Sequence, residues 1–261
     1  MTIAEYFWDK GRNIIIILDD LSTHAKTYRE IALLGRRFPG RNSYPGDIFY
    51  AHARLLERAG NFVLAQSEAA ITCLPIVEAP LGDLTGYIQT NTMAMTDGHL
   101  FFDHVLFAEG RRPAIDPFIS VTRVGRQTQS TLGKEVGRTI TAFLKEVETY
   151  HNFASFGAEL GEHIKSALAK EEQLIQLFDE TSLDTVPPTV QITLFAIIWG
   201  GLWHDKSLEK VRQGIQNLIF SYDTQPGVKK SVDALVEDSE TLEVFLARIK
   251  NFDLARNLLV S

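Results

Sequence analysis

Five consecutive aliphatic positions, Ile14-Ile15-Ile16-Ile17-Leu18, stop abruptly at Asp19-Asp20. The run has no polar alternation, which predicts a strand covered on both faces, as in the middle of a parallel sheet. One helix is expected before it and another after it, over about 22–37, with Ser22 or Asp20 as N-cap. The stretch from Phe38 to Asp47 reads F-P-G-R-N-S-Y-P-G-D and is a loop by its turn formers. Residues 48–59 follow as a helix with Phe49, His52, Leu55 and Leu56 on one side. Residues 70–77 read as a second buried strand, and 87–95 as a third, closed by Thr96-Asp97-Gly98. The segment around Phe118–Arg123 puts Arg123 at the end of a further strand. Strands alternating with helices predict a parallel sheet with helices on its faces.

After about Gln129 the pattern changes. Val136, Ile140, Phe143, Leu144 and Val147 recur at helical spacing, as do Leu160, Ile164, Leu168 and Ile175. Pro187-Pro188 interrupts, then Val190 to Trp203 forms an apolar helix ended by Gly200-Gly201. Two further helices are expected near 208–222 and 239–259. The predicted fold is therefore α/β over 1–129 followed by an all-α bundle of about five helices over 130–261. The longest apolar run, Leu194 to Trp203, is half of the roughly 20 residues a membrane span needs.

Charge divides along the same line. Residues 1–150 hold 16 Lys+Arg against 17 Asp+Glu, a net of -1, whereas 151–261 hold 10 against 16, a net of -6. Together these make the net -7 of the chain, which argues against nucleic-acid binding, since phosphate neutralisation needs surplus cations. The cations of the first part are mostly Arg, which suits specific carboxylate or phosphate contacts better than a general basic face. A single Cys73 excludes a disulfide framework and any Cys-rich zinc site. With no basic, apolar leader at Met1–Glu5, the expectation is a soluble protein of a reducing compartment.

Chemistry is sparse. An apolar strand ending in Asp, as Ile14–Asp19 does, is how P-loop enzymes hold Mg²⁺ against a nucleotide. The plainer reading is a carboxylate capping the next helix. Neither G-x-x-x-x-G-K-[ST], G-x-G-x-x-G nor G-x-S-x-G occurs in the 261 residues. The seven His residues show no metal-binding spacing. Arg123, flanked by hydroxyls and followed by Gly125, stands out: a strand end is a rigid mount for a guanidinium that reaches outward. Its plainer reading is an exposed Arg in a weak surface pair.

Long stretches, in order, resemble the C-terminal half of the F-type ATP synthase (F1) alpha subunit. They include Leu18–Ser22, Tyr28–Leu34, Phe38-Pro39-Gly40-Arg41, Tyr44-Pro45-Gly46-Asp47-Ile48-Phe49-Tyr50, His52–Ala59, Leu74–Glu78 and Tyr87–Asn91. They continue with Thr96-Asp97-Gly98, Gly110–Ile115, Ser120–Gly125 and Phe153–Leu160. The resemblance implies a partial RecA-like nucleotide-binding domain over 1–129, without the Walker A P-loop or the N-terminal β-barrel, and the C-terminal helical bundle over 130–261. Without the P-loop strand beside it, the strand 14–18 has an uncovered edge.

By the same resemblance, Arg123 is an arginine finger acting in trans on the catalytic site of the neighbouring beta subunit. Asp19 is the Walker B carboxylate, serving Mg²⁺ through water only with an upstream P-loop. Glu78, Phe107 and Arg112 are remnants of the noncatalytic nucleotide site. The implied cofactors are ATP or ADP with Mg²⁺ in the intact family and none for this chain alone. The implied partners are beta and gamma subunits in an alternating hetero-hexamer, making ATP coupled to proton transport at the cytoplasmic face of the inner membrane, as a peripheral sector. Four departures from the family pattern stand out. Gln89 replaces Pro, Ala94 replaces Ser, Arg126 adds a cation, and Asp179-Glu180-Thr181-Ser182 replaces a Gln pair at the adenine. They leave open a nonenzymatic interaction protein of the same fold, without nucleotide binding; a subunit of a related rotary ATPase is a more distant alternative.

Overall fold

The computed structural model describes residues 1–63, 68–155, 161–179 and 185–252. The described residues fall into two compact units, one within 1–99 and 121–124 and the other within 100–120 and 125–252.

In the first unit, helix α1 (Thr2–Trp8) leads into strand β1 (Ile14–Leu18) and helix α2 (Leu21–Leu34). Asp20 is the N-cap of α2: its carboxylate accepts from the Thr23 backbone N–H. This bond holds the Asp20 carboxyl below its ordinary range. Helix α3 (Ile48–Leu56) precedes strand β2 (Gly60–Val63) and strand β3 (Glu68–Pro75). The sheet order is β1-β3-β2, with β1 parallel to β3 in the register Ile14↔Ile71 to Leu18↔Pro75, and β2 antiparallel to β3. A small core of Ala25, Ile48 and Ile88 gathers Tyr28, Tyr44, Val77 and Tyr87 around it. The loop 38–47 is tied back by Gly40 N–H donating to the Tyr44 carbonyl at 2.8 Å, and Arg29 lies over the Tyr44 ring.

Three sequence expectations change here. Residues 87–95 are not a strand but helix α4 (Tyr87–Met95). Aromatic and β-branched residues suggested a strand, yet the buried positions Ile88 and Thr92 are four apart, the spacing of one helix face. The hydroxyls of Thr90 and Thr92 donate to the carbonyls of Gly86 and Ile88 four residues back, so threonine is accommodated within the helix. Strand β1 is not covered on both faces: Ile15 and Ile17 are 71% and 60% exposed. Strand β2 and strand β4 (Gly98–Phe102) were not foreseen, being short and without clean alternation. Strand β4 pairs with β5 (Ile115–Thr122) in a separate two-stranded sheet, and helix α5 (His104–Ala108), capped by Asp103, lies between them in sequence.

The bundle of the second unit has six helices among the described residues, not five. They are α6 (Thr131–Ser155), α7 (Glu162–Phe178), α8 (Pro188–Trp199), α9 (Leu208–Thr224), α10 (Pro226–Glu237) and α11 (Leu242–Ile249). The missed one is α10, whose Pro226-Gly227 start looks like a turn but supplies Pro at the first helical position. Helix α8 is apolar all round because it is the axis of the bundle, packing against α7, α9, α10 and α11. Its Leu194, Phe195, Ala196, Ile197 and Ile198 are buried. Trp199 stacks on Phe195 and makes a T-shaped contact with Phe143. Buried polar groups are partnered: Gln173 Nε2 donates to the Trp203 carbonyl at 2.9 Å, and Tyr222 Oη to Asp233 at 2.7 Å. The fold class read from the sequence, α/β followed by a helical bundle, is the one observed. No helix among the described residues is long and apolar enough to cross a membrane.

Candidate functional site

Arg123 follows the last residue of β5 directly. Its backbone N–H donates to the Asp97 carbonyl at 2.7 Å, which closes the strand end against the Thr96-Asp97-Gly98 turn. Gly98 is required there: a Cβ would stand 2.4 Å from the Val121 carbonyl oxygen. The Arg123 side chain is exposed, and its Nη1 donates to the Ala94 carbonyl at 3.1 Å. A guanidinium carries five N–H donors, and this is the one bond the side chain makes among the described residues. Sequence reasoning found the Arg but not its seat, because a backbone carbonyl at the end of a helix leaves no residue signature.

Asp19 and Glu78 lie at the same end of the parallel pair. Ile76 N–H donates to the Leu18 carbonyl at 3.0 Å, Leu21 N–H to Ile76 at 2.9 Å, and Glu78 N–H to Ser22 Oγ at 2.9 Å. Both carboxylates therefore emerge from the carboxyl ends of β1 and β3, where open α/β sheets bind ligands. Asp19 is exposed and its carboxylate has no polar partner among the described residues. Glu78 pairs with Lys26 at 2.7 Å, and the Gln89 amide donates to the Glu78 carbonyl at 2.5 Å. The Lys26 ammonium, bonded to Glu78, is held above its ordinary pKa.

Phe107 and Arg112 meet in the second unit. The Arg112 guanidinium lies 3.6 Å from the Phe107 ring centroid, and its Nη1 donates to the carbonyls of Phe107 and Arg111 at 2.8 and 2.7 Å. Phe107 remains 57% exposed. Arg126, in the loop before α6, folds onto the start of that helix. Its Nη1 donates to the Lys134 carbonyl at 3.3 Å, and it occupies the space that a Cβ at Gly137 would need. The departure expected at 179–182 lies, except for Asp179, outside the described residues. No group of His, Cys, Asp and Glu among the described residues could hold a metal ion unaided.

Residues 1–122 match the model of the ATP synthase alpha/beta family, nucleotide-binding domain. Residues 1–122, with their strand-end carboxylates on a parallel pair, are thus those of a nucleotide-binding domain of the ATP synthase alpha/beta family. Within that family the chain's relatives are alpha subunits, and it matches their C-terminal half. It is 37% identical over 256 residues to ATP synthase subunit alpha of Acholeplasma laidlawii, covering 96% of this chain and 51% of that one. The figures are 38% over 221 residues for that of Neorickettsia sennetsu, covering 85% and 43%. For that of Aquifex aeolicus they are 37% over 243 residues, covering 93% and 48%. The chain thus spans about half the length of the curated relatives it matches.

Proposed function

We propose that the chain works as a noncatalytic alpha-type subunit of an F1 ATP synthase and lends Arg123 to the catalytic site of an adjoining beta subunit. The functional division falls near residue 129, with the nucleotide-binding part before it and the bundle after it. The observation that carries the reading is the presentation of Arg123: exposed, on a rigid strand end, with one donor engaged and the rest of its fork unspent. A guanidinium fixed in this way offsets charge that develops on a transferring phosphoryl group. The assembly is an alternating hetero-hexamer of alpha and beta subunits around gamma, a peripheral sector at the cytoplasmic face of the inner membrane, in which ATP synthesis is coupled to proton transport.

Asp19 and Glu78 are the remnant of this subunit's own nucleotide site, with Phe107 and Arg112 on the adenine side. Asp19 would hold Mg²⁺ through water only with a P-loop supplied from outside these residues. The chemistry fits: a solvent-facing carboxylate free of protein partners is what such a water network requires. What Mg²⁺ supplies when bound is charge neutralisation of the β- and γ-phosphates. The chain alone is expected to bind no ATP measurably in calorimetry; a micromolar Kd would overturn that expectation. Co-expression with beta and gamma subunits tests the assembly directly: a stable alpha–beta complex is expected, and failure to co-purify contradicts it.

A second reading, a nonenzymatic interaction protein of the same fold, is favoured by two departures near the finger and Glu78. Gln89 ties itself to the Glu78 backbone, and Ala94 offers only its carbonyl. That reading predicts co-purification with beta and gamma but a complex whose turnover does not depend on Arg123.

A further inference from the structure

A cavity of about 580 Å³ opens in the first unit between α1, the residues that end α3, and the hairpin of β2 and β3. It lies apart from the strand ends that carry Asp19 and Glu78. Ile71, 3% exposed, forms its floor. Three aromatic rings stand in its wall: Tyr6, Trp8 and Phe62. Trp8 is fixed by its Nε1–H donating to the Ala69 carbonyl at 3.0 Å, and its ring meets Phe62 edge-on with centroids 5.3 Å apart.

The charges of the wall do not balance. Glu5 and Arg58 cancel each other, with Arg58 Nε donating to Glu5 Oε1 at 2.6 Å and Nη2 to both Glu5 Oε2 and Thr2 Oγ1. This pairing holds the Glu5 carboxyl below its ordinary range. Two carboxylates of the lining remain, Asp9 and Glu57, and neither has a polar partner among the described residues. Among the described residues the lining itself holds no further cation; the Lys10 ammonium, over Tyr6, and the Met1 ammonium, near Glu5, stand outside it. The lining therefore carries a net negative charge, which disfavours an anion and gives a neutral guest no electrostatic gain, although both carboxylates are solvated. A cation gains twice, from the carboxylates and from the negative faces of the rings. The wall already shows this affinity within its own chain. The Lys10 ammonium sits 4.0 Å from the Tyr6 ring centroid and donates to Tyr6 Oη at 2.6 Å.

We propose that this cavity binds a small organic ammonium ion, an amine or quaternary ammonium of about the size of choline. The inference is independent of the synthase reading, since none of these residues belongs to the finger or to the nucleotide-site remnant.

The test is a calorimetric titration of the full chain with choline and, separately, with its neutral carbon isostere 3,3-dimethyl-1-butanol, at constant ionic strength set by NaCl. Choline is expected to bind saturably, with the isostere at least about tenfold weaker. Glu57→Gln is expected to weaken choline about tenfold and to leave the isostere unchanged. Equal affinity for the two probes, or no saturation by choline, overturns the proposal. The two-probe comparison decides the matter on the unmodified chain even if the variant folds poorly, and an unchanged choline affinity in a folded Glu57→Gln chain overturns it as well.

Discussion

His52 is 1% exposed, and its Nε2 lies 3.0 Å from Nδ1 of His24 on α2. Burial, helped by the adjacent His24, lowers its pKa from 6.5 to about 4. The folded first unit therefore refuses a proton that the unfolded chain accepts. Its contribution to stability is complete above pH 6.5 and is lost as pH falls from there towards 4, by up to about 3 kcal/mol. Urea unfolding followed by amide exchange of the first unit between pH 7 and 4 should show this slope, and His52→Gln should flatten it; an equal slope in the variant would refute the assignment. At Gly98 the constraint is steric: alanine would drive a methyl into the Val121 carbonyl 2.4 Å away. Gly98→Ala is expected to cost about 1–3 kcal/mol in the same assay; a neutral change would mean that the strand end yields freely. Arg123 and Asp19 were legible as candidates because a lone cation or carboxylate at a strand end is a sequence pattern. The His24–His52 contact was not, because nothing in residue type fixes which faces of two helices meet.

Among the elements, the bundle was the most readable. Helix α8 announces itself by apolar length, and Pro187-Pro188 and Gly200 mark its ends. Leu194 is fully buried at its centre, so Leu194→Ala should cost about 2–5 kcal/mol in thermal unfolding of the bundle. A loss below 1 kcal/mol would contradict the packing. The errors had physical causes. Helix α4 hid behind threonines whose hydroxyls find partners in their own helix. The aliphatic run of β1 promised two covered faces, whereas Ile15 and Ile17 are open within this chain. An all-aliphatic run marks a strand but does not say how much of it the rest of the chain covers. The coverage should appear in amide exchange: α8, wrapped by four helices, should exchange much more slowly than β1. Equal protection of the two would argue against it.

For the molecule as a whole, the fold class could be read from periodicity, and the family from motifs at the loops and strand ends. Periodicity alone could not give function, because a partial nucleotide-binding sheet and a bundle serve many purposes. The exposed apolar residues of the first unit, Ile15, Ile17, Phe38 and Leu81 among them, fit a chain that works inside a larger assembly. In that setting the reach of Arg123 beyond its own surface has a use.

The central claim is that Arg123 serves a neighbour's phosphates. Its most direct test is the ATP turnover of a complex of this chain with beta and gamma subunits, compared between the native chain and Arg123→Ala. The account predicts that the variant assembles normally and loses on the order of 10³-fold or more of its turnover. An assembled variant with native turnover would contradict it.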